Sequence, residues 1–307
     1  GKREMIEARG LVKKFGEKSA LDNMSFRIGG KSVFGLVGSN GAGKSTFLRT
    51  AAGIYRPDAG KLLIDGSEPF ENSGVKGRVF FIPDYPYFLP QSNLAEMGSF
   101  LAALYPRWDW KRFDALNRVF PLGEKTRIST MSKGMQRQAA LICAFSARPD
   151  YILMDEIFDG LDPVMRQLLK RLVSEEVASR GVTVVIASHN LRELEDLCDH
   201  VGLFHKGGVV FEKDLDELRL GVCKVQAVFR PMPERSAFAP LNIVKWETRG
   251  SLVNFVARAG RDEVLAKLNT MNPVFAEALP LTLEEVFISE MEVAGYDIEN
   301  ILADAEK

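Results

Sequence analysis

The nine residues Gly38-Ser39-Asn40-Gly41-Ala42-Gly43-Lys44-Ser45-Thr46 carry the strongest chemical signal in the chain. Their spacing, G-x-x-x-x-G-K-[ST], is that of a loop whose glycines let successive backbone N–H groups converge on an anion. Lys44 is placed to reach the outer phosphates of a nucleoside triphosphate, and the Ser45 hydroxyl to ligate Mg²⁺. Two further clusters end apolar runs in polar groups. Ile152-Leu153-Met154 leads into Asp155 and Glu156, and Val184-Val185-Ile186-Ala187 leads into Ser188, His189 and Asn190. Asp155 is then a candidate metal ligand. Glu156 is directed elsewhere by the alternation of strand side chains and is a candidate general base for attacking water. His189 would lie beside the terminal phosphate. In a third cluster, Met131-Ser132-Lys133-Gly134-Met135-Gln136, a serine and a glycine precede a helix expected to begin near Met135. The free N–H groups of that helix start make a second anion site. One chain cannot easily bring it onto the same phosphate as its own glycine loop, so a second copy closing head to tail is implied.

Positioning these groups takes a particular order of elements. The run Ser32 to Val37 reads as the strand before the glycine loop, and Phe47-Leu48-Arg49 as the helix after it. Residues 4–12 and 24–28 alternate as an edge hairpin, with 13–22 as its connection. Phe15 falls in that connection and is either a locally packed loop residue or an aromatic platform for a base. Ala59 to Gly66 reads as a strand closed by an Asp-Gly turn, and Arg78 to Pro83 as a buried strand stopped by its proline. From 84 to 148 apolar residues recur at helical spacing, through Leu94 to Leu104, Phe113 to Phe120 and Met135 to Ala147. That marks an inserted helical subdomain. Strand-like Tyr151–Glu156 and Val182–Ala187 flank a helix over Pro163–Ser179, so the expected core is α/β with a parallel sheet. Past Leu220, short strands over 224–230, 243–247 and 251–258 and a helix over Glu263–Leu268 precede Thr282-Leu283-Glu284-Glu285. That last segment is a capping box, with Val286 and Phe287 on the apolar face behind it. The expected division is a main domain over 1–220 and a small α+β appendage over 221–307.

Composition narrows the functional classes. Of 307 residues 46% are hydrophobic and 26% charged, as in ordinary globular proteins. A net charge of −1 gives no electrostatic footprint for nucleic acid or anionic lipid. Cys143, Cys198 and Cys223 are scattered singly, so each is expected to be a small buried hydrophobe in a reducing compartment. No apolar stretch approaches the roughly 18 residues of a spanning helix, and Gly1-Lys2-Arg3-Glu4 lacks a secretory h-region. The expectation is a soluble chain for which another polypeptide would supply any membrane part.

Gly38–Thr46, Met131–Gln136, Asp155-Glu156, Gly160-Leu161-Asp162 and Ser188-His189, in that order and spacing, resemble the ATP-binding subunit of ABC transporters over about residues 4–218. The resemblance implies a P-loop NTPase fold and ATP with Mg²⁺ as cofactors. It further implies two ATP molecules sandwiched between two such subunits, and hydrolysis coupled to a separate membrane permease. The family signature falls on Met131–Gln136, so Ser132, Lys133, Gly134 and Gln136 would touch ATP across the dimer, with Lys133 and Met135 as departures. Asp162 corresponds to the aspartate that meets the opposite subunit. Asp84 stands where the family usually has a glutamine that touches Mg²⁺ and relays motion to the permease. An aspartate there could still ligate the metal, but it adds charge. Phe15 replaces the commoner tyrosine, and Ile157-Phe158 replaces Pro-Thr. Tyr105, Trp108 and Trp110 around Pro106 are either subdomain core or a groove for a permease coupling helix. The C-terminal part looks like the tail of ATPases serving ABC-2-type exporters. These points make the expected molecule an exporter's ATPase, homodimeric or heterodimeric, on the cytoplasmic face of the cell membrane. Two other classes compete. Soluble ABC ATPases acting on nucleic acid or ribosomes usually carry tandem cassettes, zinc modules or basic surfaces, whereas this chain has a pI of about 6.4. A small-molecule P-loop kinase needs no second phosphate-binding helix.

Overall fold

The computed structural model describes residues 5–293, apart from 121 and 124. Its chain packs as two compact units that divide between Glu212 and Lys213, earlier than the boundary near Leu220 expected from sequence.

The first unit opens on an antiparallel hairpin, β1 (Met5–Phe15) and β2 (Lys18–Gly29). Phe15 pairs with Lys18, so it ends a strand and does not sit in a long connection. The reason lies in β1: irregularities between Ala8 and Leu11, Leu11 and Lys13, and Lys13 and Lys14 break the period-2 pattern by which a strand is recognised. After β3 (Val33–Val37), the glycine loop and α1 (Lys44–Ala51), β4 (Ala59–Ile64) joins β1 to make the sheet β2-β1-β4. Beyond β4, Asp65 and Gly66 have φ of 52° and 81°, the double left-handed turn that an Asp-Gly pair favours.

The parallel sheet holds the site. The one-turn helix α2 (Ser73–Lys76) leads to β5 (Val79–Ile82). The helical insert follows, with α3 (Leu94–Leu104), α4 (Trp110–Val119) and α5 (Lys133–Ser146). Then come β6 (Tyr151–Asp155), α6 (Pro163–Arg180), β7 (Thr183–Ser188), the short α7 (Leu191–Leu194), β8 (His200–His205) and β9 (Gly208–Asp214). The strand order β5-β6-β7-β3-β8-β9 puts β3 beside β7, and β7 beside β6. Every residue of β3, β6 and β7 is buried, which is why these strands read as unbroken apolar runs. Ile6, Met24 and Phe26 of the antiparallel sheet share one core with Phe47 of α1, Val185 of β7 and Phe204 of β8. Helix α5 begins at Lys133, two residues before the expected start, because Ser132 caps it by accepting from the Met135 N–H at 3.2 Å.

The second unit is α+β. Helix α8 (Leu215–Leu220) precedes a four-stranded antiparallel sheet of β10 (Cys223–Val228), β11 (Ile243–Arg249), β12 (Leu252–Ala257) and β13 (Phe275–Leu279), in the order β11-β12-β10-β13. Val225, Ala227, Val253 and Phe255 pack against Phe238 and against Val264 and Leu268 of α9 (Arg261–Asn269). Helix α10 (Leu283–Val293) opens on the expected box: Thr282 N–H donates to Glu285 Oε2 at 3.1 Å, and Glu285 N–H to Thr282 Oγ1 at 3.2 Å. Sequence reading missed β13, an edge strand with no fully buried residue and so no apolar alternation. All three cysteines are buried, and burial pushes the Cys143 thiol up to about 12. No helix among the described residues is long and apolar enough to cross a membrane.

Candidate functional site

The glycine loop is shaped by close approaches that side chains would block. An added Cβ on Gly38 would lie 2.4 Å from the Phe204 carbonyl oxygen. Gly43 has φ 106°, and its Cβ would lie 2.6 Å from the Ala20 oxygen. From this turn α1 starts, with the Phe47 N–H donating to the Gly43 carbonyl at 2.9 Å. Lys44 is buried. Its Nζ donates to the carbonyls of Gly38 (2.5 Å) and Ser39 (3.2 Å) and stands 3.9 Å from Glu156 Oε1. Burial pushes the ammonium below the usual lysine value, and the charges of Glu156 and Asp155 partly restore it. The cleft over this lysine is lined by Phe15, Lys18, Ala20, residues 40–46, Asp84 and Glu156. Phe15 is 47% exposed and meets Tyr55 edge-on at 5.3 Å, an aromatic pair at the rim.

Asp155 ends β6, is 1% exposed, and neither carboxylate oxygen accepts a hydrogen bond of good geometry. Burial raises its pKa; the Ser45 hydroxyl and the charges of Arg49 and Lys44 oppose the rise, and Asp84 adds to it. Buried, unpartnered oxygens beside a hydroxyl are the hard donors that a small divalent cation takes, so the donor set fits Mg²⁺. Glu156 is redirected by more than strand alternation. Its φ of 47° is left-handed, a conformation uncommon for such a residue and held here by its surroundings. The turn brings Glu156 Oε2 to 2.9 Å from His189 Nδ1, across neighbouring strands β6 and β7. Burial raises the Glu156 pKa, against the pull of Lys44 and His189.

Those residues form one constellation; the signature residues fall outside it. Ser132, Lys133, Gly134, Gln136 and Asp162 do not line the loop cleft. Gly134 approaches Gly160 so closely that a Cβ would meet its oxygen at 2.5 Å. Gln136 Nε2 donates to the Met131 carbonyl at 3.2 Å, and Lys133 Nζ lies over the Tyr85 ring at 5.2 Å. Asp162 caps α6, accepting from the Met165 N–H at 2.9 Å. The three aromatics of the insert divide. Tyr105 lines an apolar groove with Ile54, Phe81, Tyr87 and Phe100, whereas Trp108 and Trp110 cluster on Phe113. Arg137 was missed from sequence, although a lone arginine opening the long apolar run of α5 was a visible signal. It is 5% exposed and pairs with Asp84.

A parallel sheet with a phosphate loop after β3, and with Asp155 and Glu156 at the end of β6 one strand beyond the neighbouring β7, defines a P-loop ATPase cassette. Among solved structures, one titled an ATP-binding subunit of an ABC transporter superposes with a TM-score of 0.66 at 27% identity, over 70% of this chain and 92% of that one. The fold is shared with a dimeric ATP-binding cassette in a post-hydrolysis state with ADP and phosphate, at a TM-score of 0.62 and 20% identity over 68% of this chain and 98% of that one. The ABC transporter family model matches residues 21–159. The ABC transporter ATP-binding protein YtrB of Bacillus subtilis is 31% identical over 93% of this chain and 98% of its own length. The Nod factor export ATP-binding protein I of Paraburkholderia xenovorans is 31% identical over 92% and 95%. The chain belongs to the family of ABC transporter ATP-binding subunits, and its reaction is ATP hydrolysis.

Proposed function

We propose that this subunit drives export through a separate membrane permease, on the cytoplasmic side of the membrane, by closing on ATP with a second ATP-binding subunit. The observation that carries the reading is the split site. The phosphate loop, Lys44, Asp155 and the Glu156–His189 pair gather at one sheet edge, while Ser132 and Gly134 at the start of α5 are not among the residues that line that cleft. Each copy thus has a triphosphate cradle and, elsewhere, a second anion-binding helix start for its partner's nucleotide.

Within the cradle, backbone N–H groups of residues 40–46 and the Lys44 ammonium bind the phosphates, and Phe15 stacks on the base. Ser45 and Asp155 would hold Mg²⁺, which would supply positive charge to offset the negative charge developing on the phosphates. Glu156 accepts the proton of the attacking water, a role suited to a carboxylate whose basicity burial has increased. An ionised Glu156 can only accept, so with Nδ1 protonated His189 donates to it across 2.9 Å and fixes the direction of that carboxylate. Asp162 meets the opposite subunit. The apolar groove of Ile54, Phe81, Tyr87, Phe100 and Tyr105 seats the permease's cytoplasmic segment, and the described residues from Lys213 to Val293 form an accessory domain. Relatives named for Nod factor export support the direction of transport.

The test is Glu156→Gln with ATP and Mg²⁺. The expected product is a stable nucleotide-bound dimer on size exclusion, and a polytopic protein recovered with the tagged subunit from membranes. A monomer under those conditions refutes the sandwich, and recovery of ribosomes refutes the transport role.

A further inference from the structure

Asp84 and Arg137 are 53 residues apart in sequence, and neither has a role in the reaction outlined above. Arg137 Nη2 donates to Asp84 Oδ1 at 2.5 Å and to the Asp84 carbonyl at 3.2 Å, while Nη1 donates to the Asp159 carbonyl. The guanidinium therefore grips two separate segments, the loop after β5 and the turn that follows Glu156. Gly160 makes room for it: an added Cβ there would lie 3.2 Å from Nη1. A second tie lies alongside, where Lys133 at the start of α5 covers the ring of Tyr85, the residue after Asp84. The side chain of Arg137 is 6% exposed, and that of Asp84 34%. A buried guanidinium requires a partner charge, whereas Asp84 could turn to water if the arginine were absent.

We infer that Arg137 is a positioning residue that latches the loop after β5 to the start of α5 and to the Glu156–Asp159 turn, with Asp84 as its counter-ion and not as a ligand of the metal. Two departures from the family pattern, Asp84 and Lys133, then belong to one device. A carboxylate near Asp155 would overload the cation site with negative charge, and the latch neutralises it. Movement of the loop is transmitted through a rigid planar group both to the second anion site and to the turn bearing the proposed base.

The inference rests on the assignment of Asp155 to the metal, and the test separates the two. Protein-bound Mn²⁺ is measured by EPR with saturating AMP-PNP, and ATPase kinetics are measured in parallel. Asp155→Asn is expected to lose Mn²⁺ and Asp84→Asn to hold it within about twofold of the parent. Both Asp84→Asn and Arg137→Lys are expected to lower kcat by about ten- to a hundredfold with KM for ATP unchanged, since they loosen geometry and not binding. Their double variant is expected to be no slower than the worse single one. Arg137→Lys keeps the buried charge, so a loss of kcat with an unchanged melting temperature excludes simple unfolding. Loss of Mn²⁺ in Asp84→Asn, additive effects on kcat, or an unimpaired Arg137→Lys overturns the latch. Retention of Mn²⁺ by Asp155→Asn overturns the metal assignment instead, and the kinetic cycle still decides the latch.

Discussion

Glu156→Gln separates the energetic cost of the proposed base from its use. In the folded protein its side chain is 13% exposed, 3.9 Å from Lys44 Nζ and 2.9 Å from His189 Nδ1. Burial outweighs those partners, so the pKa stands above the ordinary 4.5. The sign follows from linkage: a folded state that binds the proton more tightly than the unfolded chain loses stability as pH rises through 4.5, and the loss is complete above the folded value. At neutral pH the ionised carboxylate therefore works against folding, and a neutral amide of the same shape relieves it. Lys44 keeps its contacts to the Gly38 and Ser39 carbonyls, and the left-handed backbone at residue 156 is the same in both proteins, so the difference reports the charge. The expected result is a nucleotide-free melting temperature for Glu156→Gln above the parent's at about pH 7.5, by about 2–4 °C for each kcal/mol relieved. The gap should close as pH is brought toward 4.5. Phosphate release should meanwhile fall by about 10²–10⁴-fold, the contribution of a general base, or about 3–5 kcal/mol of barrier. Calorimetric scans across pH beside a steady-state phosphate assay measure both. A variant that melts lower than the parent at neutral pH, with a gap that persists in acid, refutes the electrostatic account. A loss of turnover below about tenfold refutes the role of base.

Three other outcomes test separate parts of the molecule. Lys44→Ala removes the proposed charge-assisted phosphate contact and should weaken ATP binding by about 10- to 100-fold, read by titration of a fluorescent nucleotide. Gly134→Ala puts a methyl 2.5 Å from the Gly160 oxygen and should cost about 1–3 kcal/mol in a denaturant midpoint while displacing the start of α5. In the second unit, burial alone would raise Glu290, but its ion pairs with Lys213 and Arg258 bring it below the usual glutamate value. That stabilisation is present above pH 4.5 and is lost as pH falls through the lower folded value. Glu290→Gln should therefore lower the unfolding free energy at neutral pH by about 2 kcal/mol, seen as a lower melting temperature, and match the parent in acid.

The amino-acid sequence by itself determined what is local. The glycine spacing, the apolar strand before it and the helix after it lie within one short stretch, and their chemistry needs no distant partner. The Asp65-Gly66 turn and the Thr282–Glu285 box follow from backbone preferences a few residues long. Strands β3, β6 and β7 were legible because both faces of a parallel sheet are covered, which leaves a continuous apolar run. The hairpin's true length was hidden by bulges, and β13 by its exposure at an edge. What tertiary structure decided was pairing. His189 reaches Glu156 from 33 residues away because the sheet order seats β7 beside β6, and a left-handed φ turns the carboxylate toward it. Arg137 meets Asp84 and Asp159 only because α5 packs where the loop after β5 and the turn after β6 converge. A charge in a sequence has no partner until the chain is folded; desolvation then makes a partner obligatory, and the topology selects which one.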